Sequence, residues 1–138
     1  MDQKNIPLKI LDDKTKNIII ISDDEEVVLN LLGSQVILFG YKPILILNGL
    51  EVPKIFEENK DKVVCIILDY QLRLTTGIKL SVILREIDPN VKIILISGYC
   101  FDNCLSEYTE YKINSFLQKP FTMYELKTKI EEVVNKIE

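Results

Sequence analysis

Histidine and tryptophan are absent from the 138 residues. The first absence is the more restrictive. Without an imidazole the chain cannot build a Ser–His or Cys–His nucleophile pair, a His-ligated zinc or haem site, or a phosphohistidine. Its chemistry must run on carboxylates, hydroxyls, lysines, arginines or thiols. Cysteine is scarce: three residues, an odd number without framework spacing. That excludes a disulfide scaffold and points to a reducing compartment. No apolar run reaches the roughly 18–20 residues of a membrane span. Met1–Ile10 mixes charge with isolated apolar residues, unlike a signal peptide. A basic excess is also missing. Lys+Arg is 17 against Asp+Glu 21, a net charge of −4, which argues against a nucleic-acid-binding face. The expected setting is cytoplasmic, with no direct contact to nucleic acid or membrane. What remains is 47% hydrophobic and 28% charged, enough for one domain with its own core.

Apolar runs and amphipathic stretches alternate along the chain. Asn17–Ser22, Pro43–Leu47, Val63–Leu68, Val91–Ile96 and the short Ser115–Leu117 read as strands. The runs are almost unbroken, as in a parallel sheet covered on both faces. Between them lie predicted helices over Glu25–Phe39, Glu51–Asn59, Ile78–Ile87 and Asn103–Tyr111. A fifth opens at Thr122, where Glu125 three residues on completes a capping-box pattern. The first helix is expected to bury Val28, Leu31, Leu32, Gln35, Val36 and Phe39. The last should bury Leu126, Ile130, Val133, Val134 and Ile137. Five strands alternating with five helices predict an α/β fold: a parallel sheet with right-handed crossovers and helices on both faces. Residues 1–16 fall outside the alternation, as an N-terminal extension or linker.

Ligands of open parallel sheets bind beyond the carboxyl ends of the strands. Ser22, Asp23 and Asp24 follow the first strand, Asp69 the third, Ser97-Gly98 the fourth and Lys119-Pro120 the fifth. The second offers only Asn48-Gly49 and should lie at the sheet edge. Three carboxylates, a hydroxyl and a lysine thus converge. Two carboxylates about 4 Å apart repel by roughly 4 kcal/mol at an effective dielectric near 20. Lys119 offsets part of this, and a hard divalent cation such as Mg²⁺ (or Mn²⁺) suits the rest. An Asp with one oxygen left free beside such a metal is a credible nucleophile toward phosphorus.

The chain resembles the response-regulator receiver domains of two-component signalling, which are CheY-like and flavodoxin-like. The resemblance is carried by IIIISDDEE at 18–26, ILDYQLRLTTG at 67–77, ILISGY at 94–99 and FLQKPF at 116–121. It runs from about Lys16 to Lys136, so 17–138 reads as the receiver domain, with strand order 2-1-3-4-5. It implies that Asp69 accepts a phosphoryl group from a phosphohistidine on a histidine kinase or phosphotransfer protein. It implies Mg²⁺ ligation by Asp24, Asp69 and the Gln71 backbone carbonyl, with Asp23 acting through water. It assigns Ser97 the hydroxyl that turns to the phosphoryl group, Lys119 the charge-neutralising lysine before a cis Pro120, and Phe116 the aromatic switch. Phosphorylation would then alter the face made by the fourth helix, fifth strand and fifth helix. The chain would act as a signalling phosphoacceptor rather than a turnover enzyme. Output would pass through a separate effector or neighbouring kinase domains, and the chain would be a monomer or weak homodimer. The segment SGY…FLQKPF further resembles receivers of hybrid sensor histidine kinases; a single-domain regulator is the other setting. The alternative function is a pseudo-receiver, an interaction module that signals without phosphorylation.

Several positions depart from the family pattern. Arg73 replaces a common proline; the plainer reading is a solvated loop arginine, and the alternatives are a looser loop or an Arg73 that meets a partner. Lys112 stands where glycine usually precedes the fifth strand. Ser22 occupies a usually apolar position. Tyr99, two residues past Ser97, is expected to slow attack by water on the phosphoryl group; an unchanged lifetime in Tyr99→Ala would count against this. Cys100 and Cys104 read as ordinary thiols, and Cys65 as core.

Overall fold

A computed structural model describes residues 16–98 and 110–135. In chain order these form β1 (Ile18–Ser22), α1 (Glu26–Leu38), β2 (Lys42–Ile46), a 3₁₀ turn (Gly49–Glu51), α2 (Val52–Asn59), β3 (Val63–Asp69), α3 (Gly77–Ile87), β4 (Ile93–Ser97), β5 (Ser115–Gln118) and α4 (Met123–Asn135). The strands form one sheet in the order β2-β1-β3-β4-β5, all parallel. Four helices rather than five are described. The helix expected over 103–111 lies outside the described residues apart from its end at Glu110 and Tyr111. So do Tyr99, Cys100, Cys104 and Ile137.

Strand side chains alternate between two cores. Ile18, Ile20, Ile66, Leu68, Ile93, Leu95 and Phe116 pack against α2 and α3 through Val52, Phe56, Ile78, Leu80 and Leu84. Ile19, Ile21, Cys65, Ile67, Ile94, Ile96 and Leu117 pack against α1 and α4 through Leu29, Leu32, Val36, Leu126, Ile130 and Val133. Both faces are covered, which is why β1 and β4 are buried at every position and read as unbroken apolar runs. Burial also pushes the Cys65 thiol up to about 12, so it stays protonated core. The capping box forms: the Thr122 N–H donates to Glu125 Oε1 at 2.8 Å and the Glu125 N–H to Thr122 Oγ1 at 3.0 Å.

The buried stripe of α1 largely follows the expected one, with Leu32 and Val36 buried and Val28, Gln35 and Phe39 half-buried, but its edge differs. Leu29 and Gly33 face inward, while Leu31 is 56% exposed. The helix is apolar on both sides, with Val27, Ile37 and Leu38 also exposed. Periodicity alone cannot fix the edge of the stripe on such a helix.

The edge strand β2 carries Pro43. The Lys42 N–H points to the Asn17 carbonyl at 2.8 Å, so by strand alternation the nitrogen of Pro43 faces away from β1. Its missing donor costs the sheet nothing there. The other departures are accommodated. The Ser22 hydroxyl donates to the Ile46 carbonyl at 2.9 Å and is satisfied while buried. Lys112 adopts a left-handed backbone, φ +55°, the conformation for which glycine is favoured at a helix end. What anchors it is Arg85 on α3. This guanidinium donates to the carbonyls of Pro89 (3.2 Å), Val91 (2.7 Å), Tyr111 (3.4 Å) and Lys112, and to Asn114 Oδ1 (2.9 Å). Asn114 Oδ1 also accepts from the Ile93 N–H at 2.7 Å. One side chain thereby joins α3 to the loops entering β4 and β5.

Candidate functional site

Asp69 is the last residue of β3 and Ser97 the last of β4, each one position inside its strand rather than after it. Asp23 follows β1 directly, and Lys119 follows β5. Strand pairing thus brings all four to the carboxyl end of the sheet. Asp24, Glu25, Asp69, Gln71, Leu72, Thr76, Ser97, Gly98 and Lys119 line a cleft of about 560 Å³ there.

Each buried carboxylate is oriented by the backbone two residues on. Asp23 Oδ1 accepts from the Glu25 N–H at 2.9 Å, and Asp69 Oδ1 from the Gln71 N–H at 3.0 Å. Both second oxygens turn to Lys119. Its Nζ lies 2.7 Å from Asp69 Oδ2 and 3.4 Å from Asp23 Oδ2. The two contacts are unequal. Burial pushes Asp23 up to about 6; the Glu25 N–H and Lys119 oppose this, and the adjacent Asp69 carboxylate reinforces it. Burial alone would lower the Lys119 ammonium, but the hydrogen bond and charge of Asp69, then those of Asp23, hold it above the ordinary lysine value. The shorter contact makes Asp69 the lysine's chief partner. The Lys119–Pro120 peptide is cis, as the resemblance implies. The Lys119 N–H donates to the Ser97 carbonyl at 2.7 Å, tying the start of this turn to β4.

The loop after β3 is not loose. Gln71 and Thr76 pair as an antiparallel bridge, and the Leu72 N–H donates to the Thr75 carbonyl at 3.1 Å. Thr76 caps α3 by accepting from the Lys79 N–H at 3.1 Å. A Cβ on Gly77 would meet the Asp69 carbonyl oxygen at 2.7 Å. Glycine is therefore needed for α3 to start against the backbone of Asp69.

Ser97 and Phe116 sit on adjacent strands, with Leu95 opposite Phe116 and Ser97 opposite Gln118. Both project to the α2/α3 face, two positions apart in register. Ser97 and Phe116 are both buried. Sequence reasoning did not single out Glu25, Leu72 or Thr76 as cleft residues. The available signal is their place one to seven residues after the acidic positions.

The donors at hand for a metal are hard oxygens: Asp23, Asp24, Asp69 and the Gln71 carbonyl. Among the described residues no three His, Cys, Asp or Glu side chains gather as a ready metal cluster. A cation here would need the carbonyl and waters to complete its shell, the mode Mg²⁺ favours.

The model of the response regulator receiver domain family matches residues 19–131. The chain is 30% identical over 97 residues to the sensor kinase CckA of Brucella abortus, covering 70% of this chain and 10% of that kinase. It therefore spans about a tenth of that curated relative. Its fold matches the response regulator TrrA of Thermotoga maritima, solved in complex with Mg²⁺-BeF, with a TM-score of 0.76 and 26% identity over 85% of this chain and 98% of that one. It also matches the receiver domain of a sensor histidine kinase from Pseudomonas aeruginosa, solved with magnesium coordinated in its active-site cleft. There the TM-score is 0.79 and the identity 19%, over 88% of this chain and 99% of that one. With the 2-1-3-4-5 sheet and the family model spanning most of its length, the chain belongs to the receiver domains of two-component signalling.

Proposed function

We propose that Asp69 accepts a phosphoryl group from a phosphohistidine on a histidine kinase or phosphotransfer protein. The carrying observation is the 2.7 Å contact between Lys119 Nζ and Asp69 Oδ2, made while the Gln71 N–H holds Oδ1. Phosphoryl transfer needs placement and charge neutralisation more than covalent assistance. An Asp69 oxygen forms the new O–P bond as the N–P bond of the donor breaks, and the imidazole departs with that electron pair. Lys119 loses its carboxylate contact and meets a phosphoryl oxygen instead.

Asp24, Asp69 and the Gln71 carbonyl would hold Mg²⁺ or Mn²⁺ directly, with Asp23 acting through water. Bound there, the cation supplies positive charge against the phosphoryl oxygens. The all-oxygen donor set and the room in the cleft support this. The new charge, roughly −1.5 to −2 for other phosphorylated side chains, draws the Ser97 hydroxyl inward, and Phe116 follows on the same sheet face. The surface made by the segment before β5, β5 itself and α4 then changes its contacts with an effector or neighbouring kinase domains. The activity is self-catalysed transfer and autodephosphorylation, in a cytoplasmic protein that is a monomer or weak homodimer. Exposed Val27 and Leu31 near the cleft end of α1 support a macromolecular donor. The likeness to a sensor kinase supports a receiver within a hybrid kinase. No helix among the described residues is long and apolar enough to cross a membrane.

Incubation with Mg²⁺ and acetyl phosphate, read by intact mass, should add one phosphoryl group that Asp69→Asn abolishes. No adduct, or one that survives the substitution, overturns the reading in favour of a phosphorylation-independent pseudo-receiver.

A further inference from the structure

Arg73 takes no part in the phosphoryl chemistry just described, yet it is firmly presented. The turn that carries it is closed by the Gln71–Thr76 bridge and anchored by the buried Leu72 side chain. Across from it, a Cβ on Gly49 would meet Leu72 Cδ1 at 2.9 Å, so the loop after β2 sits directly on that anchor. Arg73 and Leu74 are left at the tip of a preorganised turn. With Leu47, Asn48, Gly49 and Asp24 they line a groove of about 200 Å³. Its two leucines, Leu47 and Leu74, are 50% and 64% exposed. Arg73 is exposed and makes no ion pair among the described residues.

The groove adjoins the phosphoacceptor cleft. Asp24 lines both, and the turn that offers Arg73 to the groove offers Gln71 and Leu72 to the cleft. A protein that brings a phosphoryl group to Asp69 must cover the cleft mouth and so lies against the groove. The cleft carries Asp24, Glu25 and Asp69 against Lys119, which is already engaged by Asp69 and Asp23. Among the lining residues Arg73 is the cation left for an approaching anionic surface. Arginine is also enriched where protein interfaces concentrate their binding energy, and here two exposed leucines flank it.

We propose that this groove seats the phosphodonor protein. An apolar side chain of the donor fits between Leu47 and Leu74, and a carboxylate beside it pairs with Arg73. The proposal rests on the phosphoacceptor reading. It makes Arg73 a specificity-determining residue that touches no reacting atom. A small phosphodonor, which needs only the cleft, should be indifferent to it.

The test compares two donors to Arg73→Glu and Leu74→Ser. One is acetyl phosphate. The other is a histidine phosphotransfer protein radiolabelled on its histidine, taken as the fastest of a panel toward the unaltered chain. With the protein donor, kcat/KM should fall about ten- to hundredfold in Arg73→Glu, mainly through KM, and about tenfold in Leu74→Ser. Acetyl phosphate labelling should stay within about twofold of the unaltered chain, since the groove lies outside the reacting centre. Added salt should slow the unaltered chain's reaction with the protein donor and, by screening the new like-charge contact, leave that of Arg73→Glu unslowed or faster. Unchanged protein-donor kinetics in both variants overturns the proposal, as does an equal loss with both donors. Loss of the underlying reading is told apart, because the unaltered chain would then form no adduct with acetyl phosphate.

Discussion

The two ends of the sheet solve opposite electrostatic problems. At the carboxyl end, one lysine faces two buried carboxylates, at 2.7 and 3.4 Å, with Asp24 beside them. At the amino end, one arginine faces five neutral oxygens, with the Asp88 charge nearby and no ion pair among the described residues. The first end has more negative charge than its protein partners neutralise. The second is satisfied by local hydrogen bonds. The difference teaches that charge imbalance and clamping are kept at opposite ends of this fold. On the proposed reading, the end that receives the phosphoryl group is the unbalanced one.

Breaking the clamp should have the largest effect. Arg85→Ala removes charge-assisted hydrogen bonds from two loops and should cost about 2–4 kcal/mol in urea unfolding. Arg85→Lys should recover little, because an ammonium cannot reproduce the planar fork. Acetyl phosphate labelling of the folded fraction should persist.

Relieving the unbalanced end should act the other way. Asp23→Asn should stabilise the metal-free protein near pH 7 by about 1–2 kcal/mol, since it removes a buried carboxylate whose ionised form is disfavoured. Calorimetry in a chelator checks this, and the same variant should bind Mg²⁺ more weakly.

The pH dependence sharpens the contrast. Asp23 titrates near 6 when folded against 3.8 for the free side chain. Between these values the folded state holds the extra proton, so the Asp23 contribution to stability falls as pH rises from about 4 to about 6 and is flat above. Asp23→Asn should remove that slope from chelator-treated protein. Lys119 is raised above 10.5; its contribution is whole below that value and is lost as pH rises through the folded value.

The smallest effect belongs to Lys112→Gly. A left-handed backbone suits glycine, and the gain should be about 0.5–1 kcal/mol, less the entropy glycine adds to the unfolded chain. A rise in Tm with unchanged labelling is the expected result.

Much of this was legible in the sequence, for identifiable reasons. β1, β3 and β4 are buried on both faces, so their isoleucine-rich runs announce them. The Thr122/Glu125 cap is a local pattern and forms as read. The convergence of Asp23, Asp69, Ser97 and Lys119 follows once the strands are parallel, because each lies at or just after a strand's carboxyl end. The edge of the α1 stripe was not legible, since Leu31 and Leu29 are equally apolar and only tertiary packing chooses between them. The role of Arg85 was invisible for another reason. Its acceptors in the turn before β5 are backbone carbonyls and one amide 26–29 residues away, and a carbonyl has no sequence signature.

The placement of Pro43 has a consequence beyond the sheet itself. An open parallel sheet ends in strands whose outward amides can recruit a strand from another molecule. At the β2 edge the outward nitrogen at position 43 carries no hydrogen, and exposed Lys42 stands next to it. That edge is therefore blunted: of the two outward positions of β2, 43 and 45, only Leu45 has an N–H to offer a strand from another copy. Encounters there are left more to side chains, which can be selective, than to backbone, which pairs with almost anything.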